Sequence, residues 1–241
     1  MSISGKLDTR ELALAICFTA LYVVFGAVKI SPIIGLPGQA ITAAAIIAPV
    51  IGIIFGPFIG ALSTFLGGMI GFSVGYFSPP SFVSGVTAAL CSGFTSNSKR
   101  TISASLYLSL LLVLAFYPNI GPAWLYPLSL WFQLIGFVVL ISPLQSIAVK
   151  NLHSDNNSKL FYAFFTTSLT STLAGQIAGS ATLEAILLSD LDYWRGTWIT
   201  ITFLYPIERI IIAAAAGLIG TALLKVLRTA NFTSFLNWSH R

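Results

Sequence analysis

The sequence predicts an all-α fold, namely a polytopic bundle of about eight transmembrane helices, on three observations. First, 56% of the 241 residues are apolar and only 8% are charged, whereas a soluble domain carries about 25% charged residues. Second, apolar runs of near-spanning length recur along the chain. Third, lysine and arginine concentrate in alternate breaks between these runs. We therefore expect one integral membrane domain, residues 1–241, in the cell membrane and in contact with the lipid bilayer.

Eight apolar segments are the predicted spans, and the first is interpreted as a retained helix rather than a cleaved signal peptide. Before it, Asp8 and Glu11 have the spacing of a helix N-cap and its reciprocal acid. The second and third segments are separated only by Gly56-Pro57, which predicts two helices with a tight turn; one kinked helix is the alternative. The predicted spans are residues 12–30, 41–55, 57–76, 82–94, 105–116, 124–149, 160–188 and 198–226.

The distribution of basic residues predicts the orientation of the chain in the membrane. With the N-terminus in the cytoplasm, nine of the twelve lysine and arginine residues fall in cytoplasmic segments. Lys29 and Arg195 fall in outer segments, and this asymmetry is the positive-inside bias. Both termini, including the basic and aromatic tail at residues 229–241, are then cytoplasmic. This arrangement requires an even number of spans, and six spans are the alternative to eight.

The outer ends of the predicted helices collect the unusual side chains and predict a pocket for a small molecule. Apolar and aromatic walls with a few polar groups are typical of such pockets, although an interfacial aromatic belt is the alternative interpretation. In the segment DLDYWRG at residues 190–196, Arg195 suits an anionic ligand group, and Asp190 or Asp192 suits an amine. The candidate pocket residues are Gln39, Tyr76, Phe77, Asn119, Trp124, Glu184, Asp190, Asp192, Trp194 and Arg195.

Two adjacent charges, Glu208 and Arg209, lie inside the last predicted span, about 15 Å from its start by the helical rise. Charged side chains at this depth are costly and are usually paired or functional. Since adjacent residues do not face each other on a helix, each is expected to pair with another helix or with a ligand. Pro206 just before them predicts a local kink. An ion-paired structural strut is the alternative role for the two charges.

Several classes of function lack their residue patterns in this sequence. There is no nucleotide-binding GxxxxGK[ST] motif, and there is no nucleophile–base set or intramembrane carboxylate pair that would indicate an enzyme. The two histidines, His153 and His240, lie in polar segments, so no zinc site or other cofactor is expected. The basic residues are dispersed, which argues against nucleic acid as a partner. If this chain moves a solute uphill, we expect a partner to supply the energy.

The stretch FGPFIGALSTFLGGMIG at residues 55–71 resembles the substrate-binding S components of energy-coupling factor transporters. The resemblance covers about residues 10–100 and includes the alanine-rich first helix, ELALAICFTALYVV, the Gly-Pro turn and the glycine-rich helix, with Gly60, Gly67, Gly71 and Gly75. The last span, YPIERIIIAAAAGLIGTALLKVL, is similar to the closing helix of such proteins. Glycines four residues apart share one smooth helix face, which suits either close internal packing or sliding against a partner.

The resemblance implies a function in uptake. Such a subunit captures a vitamin or related small molecule from outside and works with a transmembrane coupling subunit and ATPase subunits. The family docks its first helix through small residues four apart, which here are Ala13 with Cys17 or Ala15 with Thr19. The family usually has six spans. A self-contained secondary transporter or channel is the alternative function, although no convincing internal repeat supports it. The chemistry of the ligand stays open between a vitamin, a nucleobase derivative and an amino-acid-like molecule.

Overall fold

The computed structural model describes the backbone of residues 9–230 and the side chains of residues 12–230, and 80% of the chain is helical. This confirms the all-α class. The N-cap expected at Asp8 and Glu11 and most of the tail at residues 229–241 lie outside the described residues. The elements are α1 (Thr9–Gly26), β1 (Lys29–Pro32), β2 (Ala40–Thr42), α2 (Ala44–Phe55), α3 (Pro57–Ser73), α4 (Pro79–Ser96), α5 (Arg100–Ala115), α6 (Pro122–Leu125), a 3-10 turn (Pro127–Leu130), α7 (Trp131–Ile141), α8 (Pro143–Asn151), α9 (Asn157–Ile186) and α10 (Leu191–Thr229).

The break at Gly56-Pro57 separates two helices, as predicted. Gly56 has φ +83°, a conformation that side chains other than glycine rarely adopt, and it ends α2. Pro57 is then the first residue of α3, where its missing N–H would have had no helical partner in any case. The one-helix alternative is therefore wrong.

Two predicted loops at the ends of helices have regular structure instead. The segment after α1 forms an antiparallel hairpin in which Ser31 lies opposite Ile41, and α1 ends at Gly26 rather than at residue 30. The predicted loop at residues 190–196 is the first turn of α10, which begins seven residues earlier than expected. Asp190 explains this early start, because its side chain accepts a hydrogen bond from the Tyr193 N–H at 2.8 Å and so caps the helix.

The predicted span at residues 124–149 is divided by proline into several short pieces. Pro122, Pro127 and Pro143 each stand at the start of a piece, since proline fits the first turn of a helix and not its interior. The segments on either side of Ser142 are bent by 63°. Arg100 of α5 stabilises this bend by donating from Nη1 to the Ser142 carbonyl at 2.9 Å.

A proline inside α10 is accommodated by a tryptophan from another helix. Pro206 has no N–H, so the carbonyl of Thr202 one turn earlier loses its helical donor. Trp131 of α7 supplies the replacement, because its Nε1–H donates to the Thr202 carbonyl at 3.1 Å. A hydrogen bond thus joins α7 to α10 at the point where Pro206 predicts a kink.

Helix α9 lies at the centre of the bundle and packs against α2, α4, α5, α7, α8 and α10. It is rich in serine and threonine, and most of its side chains from residue 163 to 179 are buried. Three of these hydroxyl groups, on Thr170, Ser171 and Thr172, donate to carbonyls of the same helix four positions earlier. A polar helix can therefore occupy the interior without unpaired hydroxyl donors at these positions.

By length and composition, one helix in the described part of the chain, Leu191–Thr229, is long and apolar enough to cross a membrane. The bent pair Pro127–Ile141 and Pro143–Asn151 is a second if its two parts count as one span. Further apolar helices of 10–17 residues are Leu12–Gly26, Ala44–Phe55, Pro57–Ser73 and Arg100–Ala115. The count of eight spans stays a prediction.

The glycine-rich stretch serves internal packing. A methyl group on Gly67 would come within 2.9 Å of the Tyr22 ring and 3.1 Å of the Thr19 carbonyl, both on α1. Gly68 and Gly71 likewise leave room for the rings of Phe82 and Phe77. Close approach of α3 to its neighbours therefore requires glycine at these positions.

We predict that Gly52→Ala destabilises the protein, because the added methyl group would overlap the Ala89 carbonyl and the Ser92 hydroxyl of α4. Overpacking of this kind costs about 1–3 kcal/mol, which thermal unfolding in detergent would detect as a lower melting temperature. Gly196→Ala is the matched control, since its methyl group would meet no described atom within 4 Å. Equal melting temperatures for the two variants would contradict the packing account.

Candidate functional site

A cavity of about 60 Å³ lies in the bundle between α1, the β1–β2 hairpin, α2, α4, α9 and α10. Each helix contributes one face to it. Ser81, Ser84 and Ala88 of α4 follow the helical repeat, and so do Gln176 and Ser180 of α9. The cavity is therefore built by the packing of several elements and not by one local motif.

The cavity has an apolar and aromatic wall. The rings of Tyr22 and Phe77 line this side, with ring centroids 5.2 Å apart. Ala44 and Ala48 of α2 and Ile33 of the hairpin complete it. Because the alanines are small, α2 approaches closely and still leaves space in front of the two rings.

Arg209 is the charged group of the cavity, and its side chain is only 4% exposed. Its Nη2 donates to Glu208 Oε1 at 2.9 Å, and its Cζ lies 5.7 Å from the centroid of the Tyr205 ring. The expectation that these adjacent charges each pair elsewhere is wrong for this contact, because two long side chains can curve toward each other. Among the described residues, Arg209 Nε has no hydrogen-bond partner.

Glu208 connects the ion pair to the hairpin. Its second oxygen, Oε2, accepts a hydrogen bond from the Ser31 hydroxyl of β1 at 2.9 Å. A second contact holds the hairpin to α10, since the Tyr193 hydroxyl donates to the Gly35 carbonyl at 2.7 Å. These two bonds keep Ile33 and Thr42, which line the cavity, in position.

A pair of buried glutamines fixes the polar side of the cavity. The Gln133 amide, oriented to satisfy its neighbours, donates from Nε2 to the Ser129 carbonyl at 2.8 Å and accepts from Gln176 Nε2 at 3.1 Å. Gln176 is 4% exposed, and its Oε1 has no partner within the described part of the chain. The orientation of Gln176 is thus set by α7, with its acceptor oxygen unused.

The ten candidate pocket residues from the sequence are dispersed in the structure, and Phe77 is the one that lines this cavity. Trp194 is buried against Trp198 at a centroid distance of 5.5 Å. Glu184 is 2% exposed, and neither of its carboxylate oxygens has a partner among the described residues. The other candidates are exposed: Gln39, Tyr76, Asn119, Trp124, Asp190, Asp192 and Arg195.

Sequence reasoning did not assign Gln176 to the pocket, nor Arg209 as a residue lining it. Both carried a usable signal, namely a polar side chain inside an apolar segment. Tyr22, Ser84 and Tyr205 carried no such signal, because aromatic and hydroxyl side chains are common in membrane helices.

The structure distinguishes the two candidate docking pairs on α1. Ala13 and Cys17 are exposed. Ala15 and Thr19 face α3, since the Ala15 carbonyl accepts from the Ser63 hydroxyl and the Thr19 hydroxyl donates to the Ser63 carbonyl, each at 3.3 Å. The exposed pair is the one that a partner could reach.

Comparison with known proteins identifies no relative: no family model, no curated protein and no solved structure matches this chain. Within residues 12–230, no three His, Cys, Asp or Glu side chains come together as a metal site. Any function must therefore be argued from the cavity and from the surface of the bundle.

We predict that Arg209→Met destabilises the protein by about 3–5 kcal/mol, because it leaves Glu208 as a buried charge without its cation. In thermal unfolding, the double variant Glu208→Gln/Arg209→Met is expected to melt above the single variant, since it removes both charges. A double variant that melts at or below Arg209→Met would show that the ion pair is not what the single variant loses.

Proposed function

We propose that this chain is a multi-pass protein of the cell membrane, with both termini in the cytoplasm, that captures a small molecule. In this proposal it is the S component of an energy-coupling factor uptake transporter and works with a transmembrane coupling subunit and ATPase subunits. The observation that carries the proposal is the cavity, which combines an aromatic wall with a few polar side chains, among them Gln176, Ser180 and Arg209.

The distribution of polar and apolar side chains supports the membrane part of the proposal. Large apolar side chains are exposed on helices all around the bundle, for example Ile16, Phe58, Val113, Val138 and Phe203. The hydroxyl groups, glutamines and the ion pair are buried instead. Soluble monomers rarely expose continuous apolar surface of this extent, whereas a lipid-facing surface is expected to be apolar.

The topology is tested by cysteine labelling in intact cells, in a background with Cys17 and Cys91 replaced by alanine. The positive-inside pattern predicts that an impermeant maleimide labels Gln39→Cys and Asn119→Cys from outside. Lys159→Cys, which is exposed at the opposite end in this topology, should react only after the cells are permeabilised. The reverse pattern, or labelling of all three from one side, would contradict the multi-pass orientation.

The capture part of the proposal rests on the several elements that line the cavity. A small molecule there would contact α4, α9, α10 and the hairpin together, so the helices would close around it. The sequence has no nucleotide-binding motif, and energy for uptake would come from partner subunits. The exposed Ala13 and Cys17 on α1 offer such a partner a surface of small side chains.

Capture is tested by thermal unfolding of the purified chain against a panel of vitamins, nucleobases and amino acids. A ligand at 100 times its dissociation constant adds about 2.7 kcal/mol of stability, which raises the melting temperature. We expect one class of ligand to do so at low concentration.

Two matched variants show whether the ligand occupies the cavity. Ser180→Leu fills the cavity from α9, so it should abolish the shift in melting temperature. Ala185→Leu changes an exposed position of the same helix and should retain the shift. Absence of any shift across the panel would contradict capture and favour a self-contained secondary transporter or channel. An equal shift in both variants would locate the ligand elsewhere.

A further inference from the structure

Three exposed lysines, Lys99, Lys150 and Lys159, lie at the end of the bundle that the proposed topology places in the cytoplasm. Lys99 is the residue before α5, Lys150 is in the last turn of α8, and Lys159 is in the first turn of α9. Among the described residues, none of the three forms an ion pair. No carboxylate of the described chain therefore compensates their charges.

The first two of these lysines flank the short helix α8. Arg100, the neighbour of Lys99, donates from Nη1 to the Ser146 hydroxyl at 2.7 Å, which holds the start of α5 against α8. Lys150 follows Ser146 on α8 by one helical turn, a rise of about 6 Å. Lys99 and Lys150 are thus brought to the same side of the molecule by a contact between two helices.

Helix α9 brings the third lysine, Lys159, beside α8 as well. The hydroxyl of Tyr162, three residues further along α9, donates to the Leu144 carbonyl of α8 at 3.3 Å. Gln145 fixes the opposite face of α8, because its buried Nε2 donates to the Thr167 hydroxyl at 2.9 Å. One face of α8 is therefore attached to α9, and its other face is left at the surface.

The arginines at this end have a different role, since they bond to the backbone of the fold. Arg228 donates from Nη2 to the Leu152 carbonyl at 2.6 Å and from Nη1 to the Ser154 carbonyl at 2.8 Å. The same Nη1 lies 3.0 Å from Asp155 Oδ1, which pairs this carboxylate with an arginine. Arg100 likewise donates to a backbone carbonyl in the bend before α8. The arginines thus join the elements, and the lysines point to a partner.

Exposed apolar side chains lie directly next to the lysines. Leu144 and Ile147 are exposed on α8 and precede Lys150 by one to two turns, and Ile102 is exposed on α5 just after Lys99. An apolar surface that ends in lysines is typical of the boundary between acyl chains and headgroups. An acidic protein would match the lysines alone, whereas a phospholipid supplies both a phosphate and an acyl chain.

The opposite end of the bundle has balanced charges. Lys29 and Arg195 are exposed there, and so are Asp190 and Asp192. Attraction of anionic headgroups to this end is therefore opposed by the two carboxylates. The outer end thus supplies a matched control for the removal of positive charge.

We infer that the lysine surface, formed by Lys99, Lys150 and Lys159, binds the phosphate headgroups of anionic phospholipids in the cytoplasmic leaflet. The acyl chains lie against Leu144 and Ile147. This inference rests on the membrane part of the proposed function and adds a lipid preference to it. Phosphatidylglycerol has a net negative charge and phosphatidylcholine has none, so the surface is expected to distinguish the two.

The test measures the melting temperature of the full-length protein in a neutral detergent during titration with lipid. Phosphatidylglycerol and phosphatidylcholine with the same acyl chains are compared, since a ligand of the folded state raises the melting temperature by mass action. We expect phosphatidylglycerol to bind at least about tenfold more tightly. The preference should shrink in about 1 M salt, because exposed charges are screened.

Two sets of variants connect this preference to the surface. The triple variant Lys99→Gln/Lys150→Gln/Lys159→Gln should bind the two lipids equally. The control Lys29→Gln/Arg195→Gln removes positive charge from the outer end and should keep the full preference. Without lipid, neither set should lower the melting temperature, because none of these side chains has an ion pair in the described part of the chain. If the triple variant does not fold, the salt dependence of the unmodified protein decides the question.

The outcomes separate this inference from the proposed function. Equal binding of the two lipids by the unmodified protein, or a preference that survives in the triple variant, overturns the inference while the membrane and capture proposals stand. Glycerophosphoglycerol is the headgroup without acyl chains, and an equal shift with it would assign the surface to a free phosphate. A shift with polyglutamate but not with phosphatidylglycerol would assign it to an acidic protein. A chain that stays in solution without detergent and binds neither lipid would contradict both the inference and the membrane proposal.

Discussion

Helix α9 sets the main physical constraint on this molecule, because its polar surface has to be enclosed on every side. Its Thr170, Ser171 and Thr172 hydroxyls bond to its own carbonyls, and its buried glutamine and glutamate leave acceptor oxygens with no partner in the described chain. Such a helix would be unstable against lipid and is stable at the centre of a bundle. Its neighbours therefore direct their small and polar faces inward, and their large apolar side chains outward.

Small residues let the neighbouring helices approach α9 and each other, and the cavity is where this close packing is incomplete. Gly175 and Gly179 leave room for the α4 backbone and for Ser84, and Gly52 does the same between α2 and α4. Near the hairpin the same helices carry alanine and serine, which are too short to fill the space. Small side chains at the contacts of α2, α4 and α9 thus explain both the close packing of these helices and the cavity between them.

The sequence predicted the features that depend on neighbouring residues. Gly56-Pro57 ends one helix and begins the next because both residues act on the local backbone. The cavity could not be predicted in this way, because Tyr22, Gln176 and Arg209 are brought together from distant parts of the chain. The DLDYWRG segment was predicted to form part of one pocket because its residues are adjacent in sequence. At the start of α10, however, Trp194 is buried and the charged side chains are exposed.

The most direct test of a capture function is native mass spectrometry of the protein released from its detergent micelle, after purification without added ligand. A ligand that contacts six packed elements is expected to stay bound through gentle extraction. The account predicts one bound small molecule per chain, in addition to any lipid. Spectra that contain only the free chain and lipid adducts, from membranes of cells grown in rich medium, would contradict it.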